Sequence, residues 1–307
     1  ISYFGPSAQG YLPADDQFFR APLRLCREES PGRPSFVPTY RHYFEGIRDV
    51  ISRHGYKELC NAVGAKLGRE VSLAQIEEIR IYAEKHGSDY HPARIKVLTG
   101  TGSVAFVMNV AVTDRGRERA YREFEVLKEL NRKDGVSFLP VAYFQDETPC
   151  YSESAGAPEE TGPLLVMFLA DWFEGYHEFH LSVDKADRHQ KLVVWDTEQG
   201  ARFLSDTQSA GTYAQIAKVL TTYYDLYTFR QIFPWHHAAG DFIVRIRNDA
   251  NEVRLVTARQ YATMVEGVGI YDALLFFLLN LSLRTRLDRL DGAGDVAWAE
   301  DACVAAT

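Results

Sequence analysis

The string PWHHAAGDF at residues 234–242 is the most distinctive in the chain, with small residues set between two histidines and an aspartate. Pro234 fixes the backbone as the loop begins, and Ala238, Ala239 and Gly240 allow close approach of a ligand or a neighbouring segment. His236, His237 and Asp241 are the candidate catalytic residues, because imidazole and carboxylate side chains can move protons near neutral pH. Asp241 follows the two histidines by five and four positions, so it is also the candidate ligand for a divalent metal. Asp225, Glu266 and Asp272 could complete such a site, although no HExxH is present.

Three other places carry polar groups in suggestive surroundings. HGSDYHP, with His86, Gly87, Tyr90 and His91, reads either as an anion-binding turn or as an ordinary hairpin turn. EGYHEFH, with His177, Glu178 and His180, follows Asp171 in a stretch rich in aromatics and reads as a cleft wall or a solvated linker. Glu123 lies on the apolar stripe of a helix, where a carboxylate is costly unless a cation or a hydrogen-bond donor meets it. By contrast, Arg284, Arg286, Asp288, Arg289 and Asp291 read as the wet face of a helix.

The elements that must position these groups follow from periodicity. Residues 1–40 hold six prolines and read as an extended arm rather than a packed element. Residues 40–67 read as helices broken at Gly55 and Gly64, a helical cap. Residues 76–112 read as three antiparallel strands, with turns at HGSDYHP and TGTG. A helix from about Gly116 to Arg132 points Ala120, Glu123, Phe124, Leu127 and Leu130 inward. FLPVAYF (138–144) and LLVMFLA (164–170) read as strands, ADWFEGYHEFHLS as a linker, and KLVVWDTEQGARFLS as a hairpin. Thr212 and Gln215 suggest a capping box opening a helix that stops at Pro234. Two short strands follow, joined by a turn at 248–251, and a buried helix spans about Tyr271 to Leu290.

Composition narrows the class. In 307 residues, 46% hydrophobic and 25% charged side chains describe a globular chain, and a formal charge of −8 offers no footprint for a nucleic-acid backbone. The apolar run Ala273–Leu279 is too short to cross a bilayer. Cys26, Cys60, Cys150 and Cys303 lack paired spacing, so a reducing, cytoplasmic setting is expected. The start at Ile1, without a basic then apolar stretch, is expected to be a trimmed end rather than a signal peptide.

The order of elements over residues 76–280 resembles that of protein kinases and aminoglycoside phosphotransferases. The resemblance implies an α+β, two-lobed kinase-like fold: an arm and cap at 1–70, an antiparallel small lobe at 71–170, and a large, mainly helical lobe at 171–307. AYREFEVLKELN resembles the lobe-spanning helix, with Glu123 where the family's glutamate pairs with a phosphate-binding lysine. WHHAAGDFIV resembles the catalytic loop, with Asp241 at the place of the metal-binding asparagine and His236 near that of the catalytic aspartate.

VRLVTARQY resembles the strand and turn carrying a second metal ligand, but Thr257 stands there, and Asn109 stands near the expected lysine. The family would place ATP and Mg against Lys96, Glu123, His86, Gly87 and Asp171, with Lys96 or Arg94 replacing the lysine. The departures imply a pseudokinase-type protein that binds a nucleotide or another small ligand, with the N-terminal arm available to a protein partner. An atypical small-molecule phosphotransferase, a metal-dependent hydrolase and a pure interaction scaffold are the alternatives. In the kinase-like reading Glu123 and Asp241 face a common crevice.

Overall fold

The computed structural model describes residues 1–7, 10–23, 36–85, 87, 89–132, 138–151, 161–196, 200–237, 240–247 and 250–307, a mixed α+β chain. Its contacts divide it into two units, residues 1–125 with 141–173, and residues 126–140 with 174–307.

The first unit opens with the hairpin β1 (Ser2–Ser7) and β2 (Gly10–Pro13), followed by α1 (Asp16–Arg20) and α2 (Tyr40–Leu67). Then come β3 (Ile76–Ala83), β4 (His91–Thr99), β5 (Gly102–Ala111), α3 (Asp114–Asn131, of which residues 126–131 are counted in the second unit), β6 (Ala142–Tyr151) and β7 (Thr161–Asp171). The seven strands form one sheet in the order β2-β1-β3-β4-β5-β7-β6. β1 runs parallel to β3, whereas β3, β4, β5, β7 and β6 pair antiparallel.

Strict alternation builds the core of this unit. Along β4, His91, Ala93, Ile95, Val97 and Thr99 are buried, while the residues between them are half-buried, as a period of two requires. Ile95 joins Ile81, Phe106 and Met167 with Phe44, Ile47 and Val63 of α2 in one apolar cluster. The opposite face carries α3, whose Phe124 meets Phe168 at 6.2 Å between ring centroids. Ala120, Glu123, Phe124, Leu127 and Leu130 are buried, as their spacing predicts.

The N-terminal expectations need correction. Part of the expected arm is packed: β1 extends the sheet, and the Tyr3 ring lies tilted against Phe44 with 5.0 Å between centroids. α2 breaks at Arg53–Tyr56, where His54, Gly55 and Tyr56 take φ of 51°, 69° and 65°. At Gly64 it does not break; a Cβ there would stand 2.7 Å from the Arg69 carbonyl oxygen, so glycine permits a close approach inside the helix. Residues 24–35 of the expected arm lie outside the described residues.

The second unit comprises β8 (His177–Val183), β9 (Gln190–Asp196), β10 (Gly200–Phe203), α4 (Asp206–Thr222), β11 (Arg230–Ile232), β12 (Phe242–Arg247), β13 (Ala250–Leu255) and β14 (Tyr261–Thr263). α5 (Ile270–Arg286), β15 (Leu287–Arg289), β16 (Val296–Trp298) and α6 (Asp301–Ala306) complete it. Its main sheet has the order β10-β9-β8-β12-β13. The unit is therefore mixed rather than mainly helical.

Here the expected linker supplies β8, because Phe179 and Leu181 alternate into the core beside Val194 and Val244. α4 starts earlier than expected: Ser205 and Gln208 form the capping box, while Thr212 is buried mid-helix and accepts a hydrogen bond from Asn251 at 2.7 Å. α5 stops at Arg286 and buries one stripe only, Ala273, Phe277, Leu281 and Thr285. Two residues of the expected 248–251 turn, 248 and 249, lie outside the described residues. Among the described residues, no helix is long and apolar enough to cross a membrane.

Candidate functional site

The loop before β12 places its three ionisable side chains in two different environments. Asp241 is buried, and both of its oxygens are engaged. Arg259 grips it with two guanidinium nitrogens, Nη1 to Oδ2 at 2.6 Å and Nη2 to Oδ1 at 2.7 Å, while the His236 backbone N–H donates to Oδ2 at 2.7 Å. A planar guanidinium matches a carboxylate in this fork, and a buried anion needs such a partner. The β12–β13 hairpin brings the pair together: Asp241 leads into β12, and Arg259 follows β13 by four residues.

Gly240 allows the turn, with φ of 72°, and a Cβ there would press to 3.0 Å from the Glu178 carboxylate. The His236 side chain is exposed. Partial burial and the nearby Arg284 and Arg259 lower its pKa, against the opposing charge of Asp241, so its imidazole is neutral near neutral pH.

His237 points the other way, into a fully buried cluster centred on Asp288. Nε2 of His237 lies 3.0 Å from Asp288 Oδ2, and Nδ1 of His180 lies 3.1 Å from Asp288 Oδ1. The Leu181 N–H donates to Asp288 Oδ2 at 2.7 Å. Burial opposes charge here, yet the two imidazoles and the Leu181 N–H hold the Asp288 carboxyl well below its usual range. Burial likewise pulls the His180 pKa down, but Asp288 and Glu178 push it up to about 9. His180 is thus an imidazolium at neutral pH, clamped to a carboxylate. Among the described residues, Nδ1 of His237 has no hydrogen-bond partner.

Asp288 corrects the sequence reading, which placed it on a solvated helix face. The chain leaves α5 at Arg286, and the short β15 turns Asp288 inward beneath β8. Nothing in RTRLDRLD signals this, since the burial depends on the β15–β16 hairpin. Arg259 was also missed, although a buried Asp241 calls for a cation on the following strand or turn.

The expected extra metal ligands do not join Asp241. Asp225 accepts hydrogen bonds from the N–H groups of Tyr227 and Thr228 at 2.9 and 3.0 Å. Glu266 and Asp272 are exposed. Among the described residues, no group of three His, Cys, Asp or Glu side chains is arranged to hold a metal ion. The Asp241 carboxylate, filled by Arg259 and a backbone donor, does not fit the role of a magnesium ligand in this arrangement.

In the first unit, buried Glu123 accepts a hydrogen bond from the Tyr90 hydroxyl at 2.8 Å. Lys96 shares the sheet face of Phe168 and α3 by register, yet among the described residues it forms no hydrogen bond or ion pair, so the expected Lys96–Glu123 pair is not formed. Arg94 is committed elsewhere, bonded to Glu84 at 2.9 Å and stacked over Tyr82. The Gly87 N–H donates to the Tyr90 carbonyl at 3.0 Å, and His86 lies outside the described residues. Asp171 pairs with Lys66 at 3.0 Å and accepts from the Tyr143 hydroxyl at 2.8 Å. That is a structural role at the end of β7, linking it to α2.

The chain matches no protein-family model and no curated protein sequence. Its chemistry must be read from the two clusters themselves: a surface imidazole beside a guanidinium-locked carboxylate, and a buried His–Asp–His group.

Proposed function

We propose that this chain is a kinase-like protein with altered catalytic positions, a pseudokinase-type binder of a nucleotide or another small ligand rather than a phosphotransferase. The first unit supports the small-lobe part of this reading: three antiparallel strands, a helix with a buried glutamate, then two more strands joining the same sheet. The observation that carries the loss of transfer chemistry is the two-pronged Arg259–Asp241 pair. Phosphoryl transfer depends on metal ions and cations placed around the phosphates. A carboxylate saturated by an internal guanidinium, with Thr257 and Asn109 at the other expected places, offers none of that. The second unit, with its five-stranded sheet, departs from the helical large lobe of the family.

A cytoplasmic setting belongs to the same reading and is supported by Cys60, Cys150 and Cys303, which are buried and unpaired. The acidic charge of −8 favours a small ligand or a protein over nucleic acid.

Isothermal calorimetry with ATP, with and without magnesium, tests the proposal. Binding of equal strength in both conditions, with no ATP turnover, is expected. Tight binding that needs magnesium, accompanied by turnover that Asp241→Ala abolishes, would establish the phosphotransferase alternative instead.

A further inference from the structure

Apolar helices bury their sides; α5 does not. Its buried stripe is Ala273, Phe277, Leu281 and Thr285, yet Tyr271, Leu275, Phe276, Leu278, Leu279 and Leu283 are each between 50% and 85% exposed. A helix that is hydrophobic on nearly every side normally sits inside a core, and an exposed patch of this size marks a surface awaiting a partner.

The arrangement of the exposed side identifies that partner. At 100° per residue, Leu279 lies opposite the centre of the buried stripe. Leu275 and Leu283 stand four positions to either side of it, and Asp272 and Arg286 stand seven positions to either side. The stripe therefore reads acid, leucine, leucine, leucine, base, and it is its own complement when reversed. We propose that α5 pairs antiparallel with α5 of a second copy of this chain, about a two-fold axis through Leu279.

In that register Leu279 meets its own counterpart, Leu275 meets Leu283 of the second copy, and Asp272 meets Arg286. A two-fold interface must use one patch on both copies, which this stripe satisfies. The antiparallel arrangement also sets the negative C-terminal end of each helix dipole beside the positive N-terminal end of the other. Among the described residues Asp272 has no ion pair. Arg286 already reaches the exposed Asp301 through Nη2 at 2.9 Å and the Ala299 carbonyl through Nε at 3.0 Å, and its side chain keeps 25% exposure.

A stable dimer covers about 800 Å² on each partner, more than one helix offers. The β15–β16 hairpin, which follows α5 directly, adds the exposed Leu287, Val296 and Trp298. Position 287 falls opposite Tyr271 of the second copy in the same register. A lipid surface fits less well, since Asp272 closes one end of the apolar stripe with a negative charge and a chain of net charge −8 is repelled by anionic headgroups.

Light scattering after size exclusion, combined with engineered cysteines, decides the matter. The full chain is expected to run as a dimer at micromolar concentration, and Leu279→Asp as a monomer that still unfolds cooperatively, at a lower temperature that no longer depends on concentration. Asp272→Arg should weaken association about fivefold, the effect of two exposed ion pairs. Leu279→Cys should give a covalent dimer on mild oxidation. Leu275→Cys should not, because its two copies lie about 12 Å apart along the axis. A monomeric wild-type chain, a Leu279→Asp chain that still dimerises, a failure of Leu279→Cys to cross-link, or capture of the monomer on anionic vesicles through this face would each overturn the proposal.

Discussion

Asp288 and Arg259 show how a single side chain fixes what its neighbours can do. The Asp288 carboxylate sits between two imidazoles without solvent, so its removal leaves the buried His180 with only Glu178, 4.0 Å away, as a counter-charge. Asp288→Asn should cost about 3–5 kcal/mol, read from urea unfolding. The cost should depend on pH in a defined way. His180 has its folded pKa raised from 6.5 to about 9, so its stabilisation is whole below pH 6.5 and fades as pH rises toward 9. Asp288 has its pKa lowered from 3.8, so its stabilisation is present above that value and is lost in acid. The melting temperatures of wild type and Asp288→Asn should thus differ most between about pH 4 and 6.5, and the gap should narrow as pH rises toward 9; a difference that grows with alkalinity contradicts the clamp. Arg259 was illegible for the same reason as Asp288: sequence shows that Asp241 is ionisable, but only tertiary structure shows that it is buried.

Helices and strands were legible where their signal was local. The alternation of ARIKVL and the inward stripe of AYREFEVLKELN each lie within a few residues, and β4 and α3 formed as their spacing predicts. The capping box was misplaced because Thr212–Gln215 and Ser205–Gln208 carry equivalent chemistry, and only the backbone φ of −69° and ψ of 163° at Ser205 selects the real one. Ser205→Ala should accordingly lower stability by about 0.5–2 kcal/mol in thermal unfolding. Gly64 makes a sharper test. Alanine favours a helix by about 1 kcal/mol over glycine, but here its Cβ would meet the Arg69 carbonyl. Gly64→Ala should destabilise by about 1–3 kcal/mol in urea, opposite in sign to propensity. α5 was misjudged because an apolar run signals burial without saying what supplies it.

At the scale of the whole chain, the α+β class was legible, and the membership of the units was not. Prolines made residues 1–40 look loose, yet β1 contributes an edge to the main sheet, with Phe4 stacked on Tyr82 at 4.7 Å. Deleting residues 1–14 should cost roughly 1.5–3 kcal/mol, since Tyr3 and Phe4 are half-buried and each contributes about half of the full-burial value. It should also promote aggregation through the bared edge of β3, visible by light scattering on warming. Ser2 pairs with Arg80, 78 positions further along, so during translation β1 must wait for β3 before it can join the sheet. Until that moment the β1–β2 hairpin has no sheet to receive it, so a segment made before β3 has to wait for its place.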